Sequence, residues 1–181
     1  MRKNILMTVA ALVLALSAGA AAADGVGLLL GSPFPHGRSE GGLYGQKKGG
    51  WELGAAYNRH WTDSVDVVFE AAYRQMPNAE DIPWMSSMKI AEFSTNLKVR
   101  TNNQYKVVPY ALLGLGLAEI GIEVDSAEAK ATLSSTEVTM RLGGGIDVAA
   151  SKRWGLYAEA FAWNSKYVTM IPARAGVRFT L

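Results

Sequence analysis

No cysteine occurs among the 181 residues, and there are only two histidines and six prolines. The first absence excludes a disulfide framework, a thiolate nucleophile, a Cys-ligated zinc site and a Cys-linked lipid anchor. Two histidines cannot build a three-His zinc centre, and the carboxylates are too scattered to suggest another metal, so no cofactor is expected. Lys/Arg runs are missing as well. The densest basic pairs, Lys47-Lys48 and Lys152-Arg153, read as turn charges, and nucleic acid is not an expected partner. A mean hydropathy close to zero excludes a bundle of apolar transmembrane helices, and 9% aromatic residues argue against disorder. The length allows one domain. What remains is a soluble domain or a membrane protein of the alternating kind.

Arg2 and Lys3 precede an apolar stretch, Ile5 to Leu16, which gives way to the small residues Ser17 to Ala23. This is the three-part pattern of a secretory signal, with cleavage expected after Ala23. A retained anchor helix over Ile5 to Ala23 is the weaker alternative, because its second half is Ala and Gly, which bury little apolar area. The expected organisation is a signal peptide over 1–23 and one domain over 24–181. The leader holds two of the 18 basic residues and none of the 16 acidic ones, leaving 16 against 16 beyond it.

Past residue 50 the pattern has period two. Val65, Val67, Phe69, Ala71 and Tyr73 alternate with Asp66, Val68, Glu70, Ala72 and Arg74. The same alternation runs over Ala91 to Arg100, Glu137 to Val148 and Ile171 to Leu181, and matches at helical spacing are lacking. Trp51 to His60 and Trp154 to Trp163 also read as strands, with less certain facing. In the second of these Tyr157, Glu159, Phe161 and Trp163 share one face, so the large residues lie with the charge and its facing stays open. Tyr105 to Val124 is a long strand in which Pro109 marks a bulge or a strand end, since proline cannot donate to the ladder.

Strands of ten residues or more, repeated, fit a tilted membrane crossing of roughly nine to eleven residues better than soluble strands of about five or six. Connections also alternate in length. Trp61-Thr62-Asp63, Thr101 to Gln104 and Ala150-Ser151-Lys152 are short, whereas Met76 to Ser86 and Asp125 to Ser134 are longer. Membrane barrels place short turns in the periplasm and long loops outside. The strand at Trp51 therefore descends, and Asp24 to Phe34 must rise before it, with Pro35 to Gly49 as the first external loop. The count is eight. The expected fold is an all-β, eight-stranded antiparallel transmembrane β-barrel with an up-and-down meander and both ends periplasmic. A soluble periplasmic barrel is the outside alternative.

This register turns Asp66, Glu70, Arg74, Glu92, Lys98, Arg100, Glu137, Arg141, Asp147, Arg174 and Arg178 inward. Both signs are present, so a paired network filling the lumen is expected, because unpaired buried charge is costly. The aromatic residues fall in two belts at the strand ends: Trp61, Tyr105, Trp154 and Phe179 on the periplasmic side, and Trp51, Tyr73, Trp163 and Tyr167 on the external side.

The segments Pro109-Tyr110 to Leu115-Gly116, Leu142-Gly143-Gly144-Gly145-Ile146-Asp147-Val148, Ser151 to Leu156 with Ala158-Glu159, and Gly176-Val177-Arg178-Phe179 carry a family resemblance. The chain resembles the eight-stranded outer-membrane β-barrel proteins, the group containing the transmembrane domain of outer-membrane protein A and opacity-type surface proteins. The resemblance extends over essentially the whole chain after the leader, and departs from the family at the end, which runs past Phe179 to Thr180-Leu181. It implies an outer-membrane location, membrane lipid and lipopolysaccharide as surroundings, the outer-membrane assembly machinery as a partner, and a monomer.

Three functions are compatible with such a barrel. The first is a structural surface protein whose external loops make contacts, with Trp84 and Met85 in the loop 76–86. The second is a narrow ion or small-solute channel. The third is a lipid A-modifying enzyme, which needs a base near a nucleophile. His36 with Ser39 and Glu40 lies in the first external loop, while His60 with Asp63 and Ser64 lies at the periplasmic end, in the wrong leaflet for lipid A. Pro35-His36-Gly37-Arg38-Ser39 reads more simply as a solvated loop, and no catalytic residue is expected. Gly143-Gly144-Gly145 fails as a phosphate loop because no Lys-Ser/Thr and no helix follow it.

Overall fold

A computed structural model describes residues 25–35, 49–77, 85–101, 106–125, 130–166 and 168–181. The expected leader, the loop with His36, Ser39 and Glu40, and the residues Trp84, Tyr105 and Tyr167 lie outside the described residues. Eight strands are present: β1 (Gly25–Pro35), β2 (Trp51–Thr62), β3 (Val65–Pro77), β4 (Met85–Arg100), β5 (Val107–Asp125), β6 (Lys130–Ala149), β7 (Trp154–Asn164) and β8 (Thr169–Phe179). Each pairs antiparallel with its neighbour in sequence, and β8 returns to β1, closing the barrel in meander order. No described helix is long and apolar enough to cross a membrane.

The period-two pattern explains why a barrel forms. In β3 every even residue from Asp66 to Met76 is buried, and the odd residues between them are only partly so. On the odd face of β5, Leu113, Leu115 and Leu117 are exposed outward. The outward apolar run from Val107 to Leu117 spans about 26 Å along the barrel axis at about 3.4 Å per residue and a 40° tilt, the height of a hydrocarbon band. Above Leu117 the outward side chains become Glu119 and Glu123, and above Val138 they become Thr136, Ser134 and Thr132.

Two expectations change at the long-loop end. Met76 and Pro77 continue β3, and both flanks of Asp125 to Ser134 are strand: β5 runs to Asp125 and β6 starts at Lys130, paired Asp125↔Lys130. This hairpin stands about 20 Å above the apolar band by the same geometry. Its β-branched and hydroxyl residues favour strand, but with water on both faces they need no apolar stripe, which is why the stretch resembles a loop in sequence. Pairing with β7 stops at Met140↔Asn164, so β6 above that point has one open edge.

Proline sets the ladder ends. Pro109 pairs with Ile146 without a bulge, and the β4–β5 ladder stops one residue away at Arg100↔Tyr110, so this proline marks a strand end. Pro172 interrupts the β7–β8 ladder, which jumps from Ala160↔Ala173 to Trp163↔Met170. The register shifts lie at His60/Thr62 and Met85/Ser87, the ends of their strands.

Candidate functional site

The inward face of the wall supplies the site. β7 turns its bulky face inward, resolving the facing that its sequence left open: Glu159, Phe161 and Trp163 are buried, and Trp154 and Leu156 are exposed. β2 turns Glu52 and Asn58 inward. The lumen then holds two layers of charge below an apolar layer.

The central layer contains Glu52, Glu70, Glu92 and Glu159 with Arg74, Arg141 and Arg174, all buried. Arg141 grips Glu92 with two nitrogens, Nη2 to Oε2 at 2.5 Å and Nε to Oε1 at 3.2 Å, and reaches Glu70 with Nη1 at 2.6 Å. Arg174 holds both oxygens of Glu70, at 2.6 and 2.5 Å, while its Nη1 reaches Glu52 at 3.1 Å and its Nε donates to Glu159. Arg74 bridges Glu92 at 2.5 Å and Glu52 at 3.1 Å. Thr139 Oγ1 and Trp163 Nε1 also donate to Glu92, at 2.6 and 2.9 Å, and the Tyr110 hydroxyl donates to Glu159. The planar guanidinium fork suits such bidentate pairing. These contacts tie β2 through β8 into one network.

Glycine makes room for it. A Cβ on Gly116 would stand 2.7 Å from Thr139 Oγ1 and 2.8 Å from Glu92 Oε1, and one on Gly145 would stand 2.7 Å from the Tyr110 hydroxyl. The Gly143-Gly144-Gly145 run is thus a packing device, with its inward members clearing space for Phe161 and Glu159.

The second layer lies at the short-turn end. Asp147 takes Lys98 at 2.6 Å and Arg178 at 3.3 Å, and Asp66 takes Arg100 at 3.0 Å with His60 Nδ1 at 2.9 Å. Lys98 Nζ also sits 3.8 Å from the centre of the Tyr110 ring. A small pocket lined by Asn58, Lys98, Tyr157 and Arg178 separates the two layers. Toward the long loops the lumen is closed by apolar side chains, among them Met76, Met88, Ile90, Ile120, Trp163 and Met170.

Of the residues expected inward, Asp66, Glu70, Arg74, Glu92, Lys98, Arg141, Asp147 and Arg174 are buried, and Arg100 and Arg178 are half-buried at the short-turn end. Glu137 does not join them. It is half-buried near the long-loop end, where it accepts from Ser135 Oγ at 2.6 Å, because β6 has risen past the charged layers there. Trp163 is a correction: placed by sequence in the external belt, it is wholly buried inside, since the bulky face of β7 turns to the lumen. Trp61, Trp154 and Phe179 are exposed at the short-turn end, and Trp51 packs on Tyr73 at 5.5 Å between ring centroids at the other. His60 is held by Asp66 and Arg100, and the Ser64 amide turns back to Thr62 Oγ1 at 3.4 Å. Sequence reading missed Glu52 and Glu159, which sit on the two strands of uncertain facing.

A family model described as the outer membrane protein beta-barrel domain matches residues 8–179. The chain belongs to that family. It is an outer-membrane β-barrel protein, embedded in lipid. Among solved structures it is similar to Neisserial surface protein A, at 18% identity and a TM-score of 0.63 over 87% of this chain and 96% of that one. It is similar to Ail, the attachment invasion locus protein of Yersinia pestis, at 16% identity and a TM-score of 0.56 over 88% and 99%. The outer membrane enzyme PagL also shares the shape, at 14% identity and a TM-score of 0.52 over 86% and 98%. No curated protein matches the sequence. At these identities the likeness shows the fold alone, and that fold houses surface proteins and an enzyme alike.

Proposed function

We propose that this outer-membrane barrel is a monomeric, non-enzymatic surface protein whose lumen is sealed and whose external hairpin is its contact surface. The observation that carries this reading is the continuous seal. Interlocked arginine–glutamate pairs fill the middle of the lumen, and buried Met, Ile and Trp side chains close it above. An ion would have to cross both layers, breaking charge pairs that have no water to replace them. The β5–β6 hairpin, with Leu133 exposed at its flank, is the described element that reaches furthest from the membrane. Ail, named for attachment and invasion, has a similar barrel, which supports a contact role here.

The proposed processing is cleavage after Ala23, with Gly176-Val177-Arg178-Phe179 serving as the signal for the assembly machinery and lipopolysaccharide surrounding the external half. Planar-bilayer recording of the purified protein is expected to show no steps above a protein-free control, and discrete conductance steps would favour the channel. The enzymatic reading keeps one point in its favour, the likeness to PagL. It predicts that lipid A mass spectra differ between cells with and without the gene and that His36→Ala abolishes the difference; identical spectra are expected.

A further inference from the structure

Charges outside the lumen are sorted by end. At the external end Glu119, Glu123, Asp125 and Glu137 face Lys89 and Lys166, and Lys89 is tied to Glu123 at 2.5 Å. At the periplasmic end, among the described residues, four exposed cations, Arg59, Lys106, Lys152 and Arg153, stand against one exposed acidic side chain, Asp63. None of the four forms an ion pair with a described acid.

Three of them share one arc of the rim. The Ala149 amide donates to the Lys106 carbonyl at 2.9 Å, placing Lys106 at the foot of the β5–β6 ladder, and Lys152 and Arg153 follow in the next turn. The Thr180 amide donates to the Arg153 carbonyl at 2.7 Å, so that turn also touches the foot of β8. Directly toward the membrane lie the pairs Val107↔Val148 and Trp154↔Phe179, with Val107, Trp154 and Phe179 exposed on the lipid side. Trp marks the interface, so the cations sit at headgroup height, where long basic side chains rest their stems on apolar surface and keep the charge in the polar layer.

We propose that Lys106, Lys152 and Arg153, beside Trp154 and Phe179, form a binding site for the headgroups of anionic phospholipids in the periplasmic leaflet. The cations lie in tight turns at the height of the aromatic rings, not on an extension reaching away from the membrane. That geometry suits a lipid phosphate better than a polymer approached from the aqueous side. The site rests on the orientation with short turns in the periplasm. Each cation near a lipid surface raises the partition of an anionic lipid by about fivefold.

Native mass spectrometry of the folded full chain, released from detergent with equimolar phosphatidylglycerol and phosphatidylethanolamine, tests this. Phosphatidylglycerol adducts are expected to exceed phosphatidylethanolamine adducts by about tenfold or more. The ratio is expected to fall toward one in Lys106→Gln/Lys152→Gln/Arg153→Gln and to persist in Lys106→Arg/Lys152→Arg/Arg153→Lys. Should the triple Gln variant lose its heat-dependent gel shift, the single substitutions serve, each lowering the ratio by about fivefold. Equal adducts in the parent chain, or a ratio unmoved by the Gln changes, would overturn the proposal, as would retention on purified peptidoglycan without lipid preference. Labelling of Lys106 or Lys152 on intact cells by an impermeant amine reagent would overturn it in a different way, by reversing the orientation.

Discussion

Glu92 accepts from Arg74, Arg141, Thr139 and Trp163, more partners than any other side chain in the central layer. Removing it strips Arg74 and Arg141, both buried, of one carboxylate each, leaving Arg74 on Glu52 and Arg141 on Glu70, and breaking a buried pair costs about 3–5 kcal/mol. Glu92→Ala is expected to lower the urea unfolding free energy in lipid vesicles by that amount. Thr139→Val, which removes one hydrogen bond and keeps the shape, is expected to cost about 1 kcal/mol. Gly116 belongs to the same account: a methyl there meets Glu92 and Thr139, so Gly116→Ala is expected to destabilise by about 1–3 kcal/mol in the same titration. Charge arithmetic at this scale held information that period-two reading passed over. The residues assigned inward from sequence carried one more base than acid, a lumen in need of carboxylates. Glu52 and Glu159 supply them while Glu137 withdraws, so the six acids in the two layers meet six Arg and Lys residues.

Among the elements, β3, β4 and β8 were legible because lipid on one side and packed charge on the other enforce strict alternation. β7 was not, since Tyr157, Phe161 and Trp163 are large enough to suit either a lipid face or a filled lumen, and only the closed neighbourhood of Glu92 and Arg174 decides between them. The external part of β6, residues 130–136, escaped for the opposite reason: with water on both faces, it has no period for hydrophobicity to report. That part is an appendage to the barrel. Replacing Val124 to Ala131 by Asn-Gly, a favoured two-residue hairpin turn, is expected to leave the heat-dependent gel shift intact and to remove whatever surface contact the hairpin makes. Loss of folding would show instead that the hairpin supports the wall.

For the whole molecule, closure matters most. The β1–β8 pairing removes the last unpaired edge in the hydrocarbon, which lipid would not tolerate, and the same closure isolates the central charged layer from water. The barrel order, the strand number and the facing of β3, β4 and β8 followed from sequence because each is dictated by the solvent on either side of a thin wall. The identity of any external partner did not follow, because loop surfaces answer to that partner and not to the wall.

The central claim is that alternate residues of one strand meet lipid and a sealed lumen. A chain without cysteine allows single spin labels to be placed without background. Labels at Phe93, Thr95, Leu97 and Val99 of β4, in reconstituted vesicles, are expected to be open to oxygen and closed to a water-soluble nickel chelate. Labels at Ser94 and Asn96 are expected to be immobile and shielded from both. Nickel access at Ser94 and Asn96, or oxygen access without alternation along β4, would contradict the account.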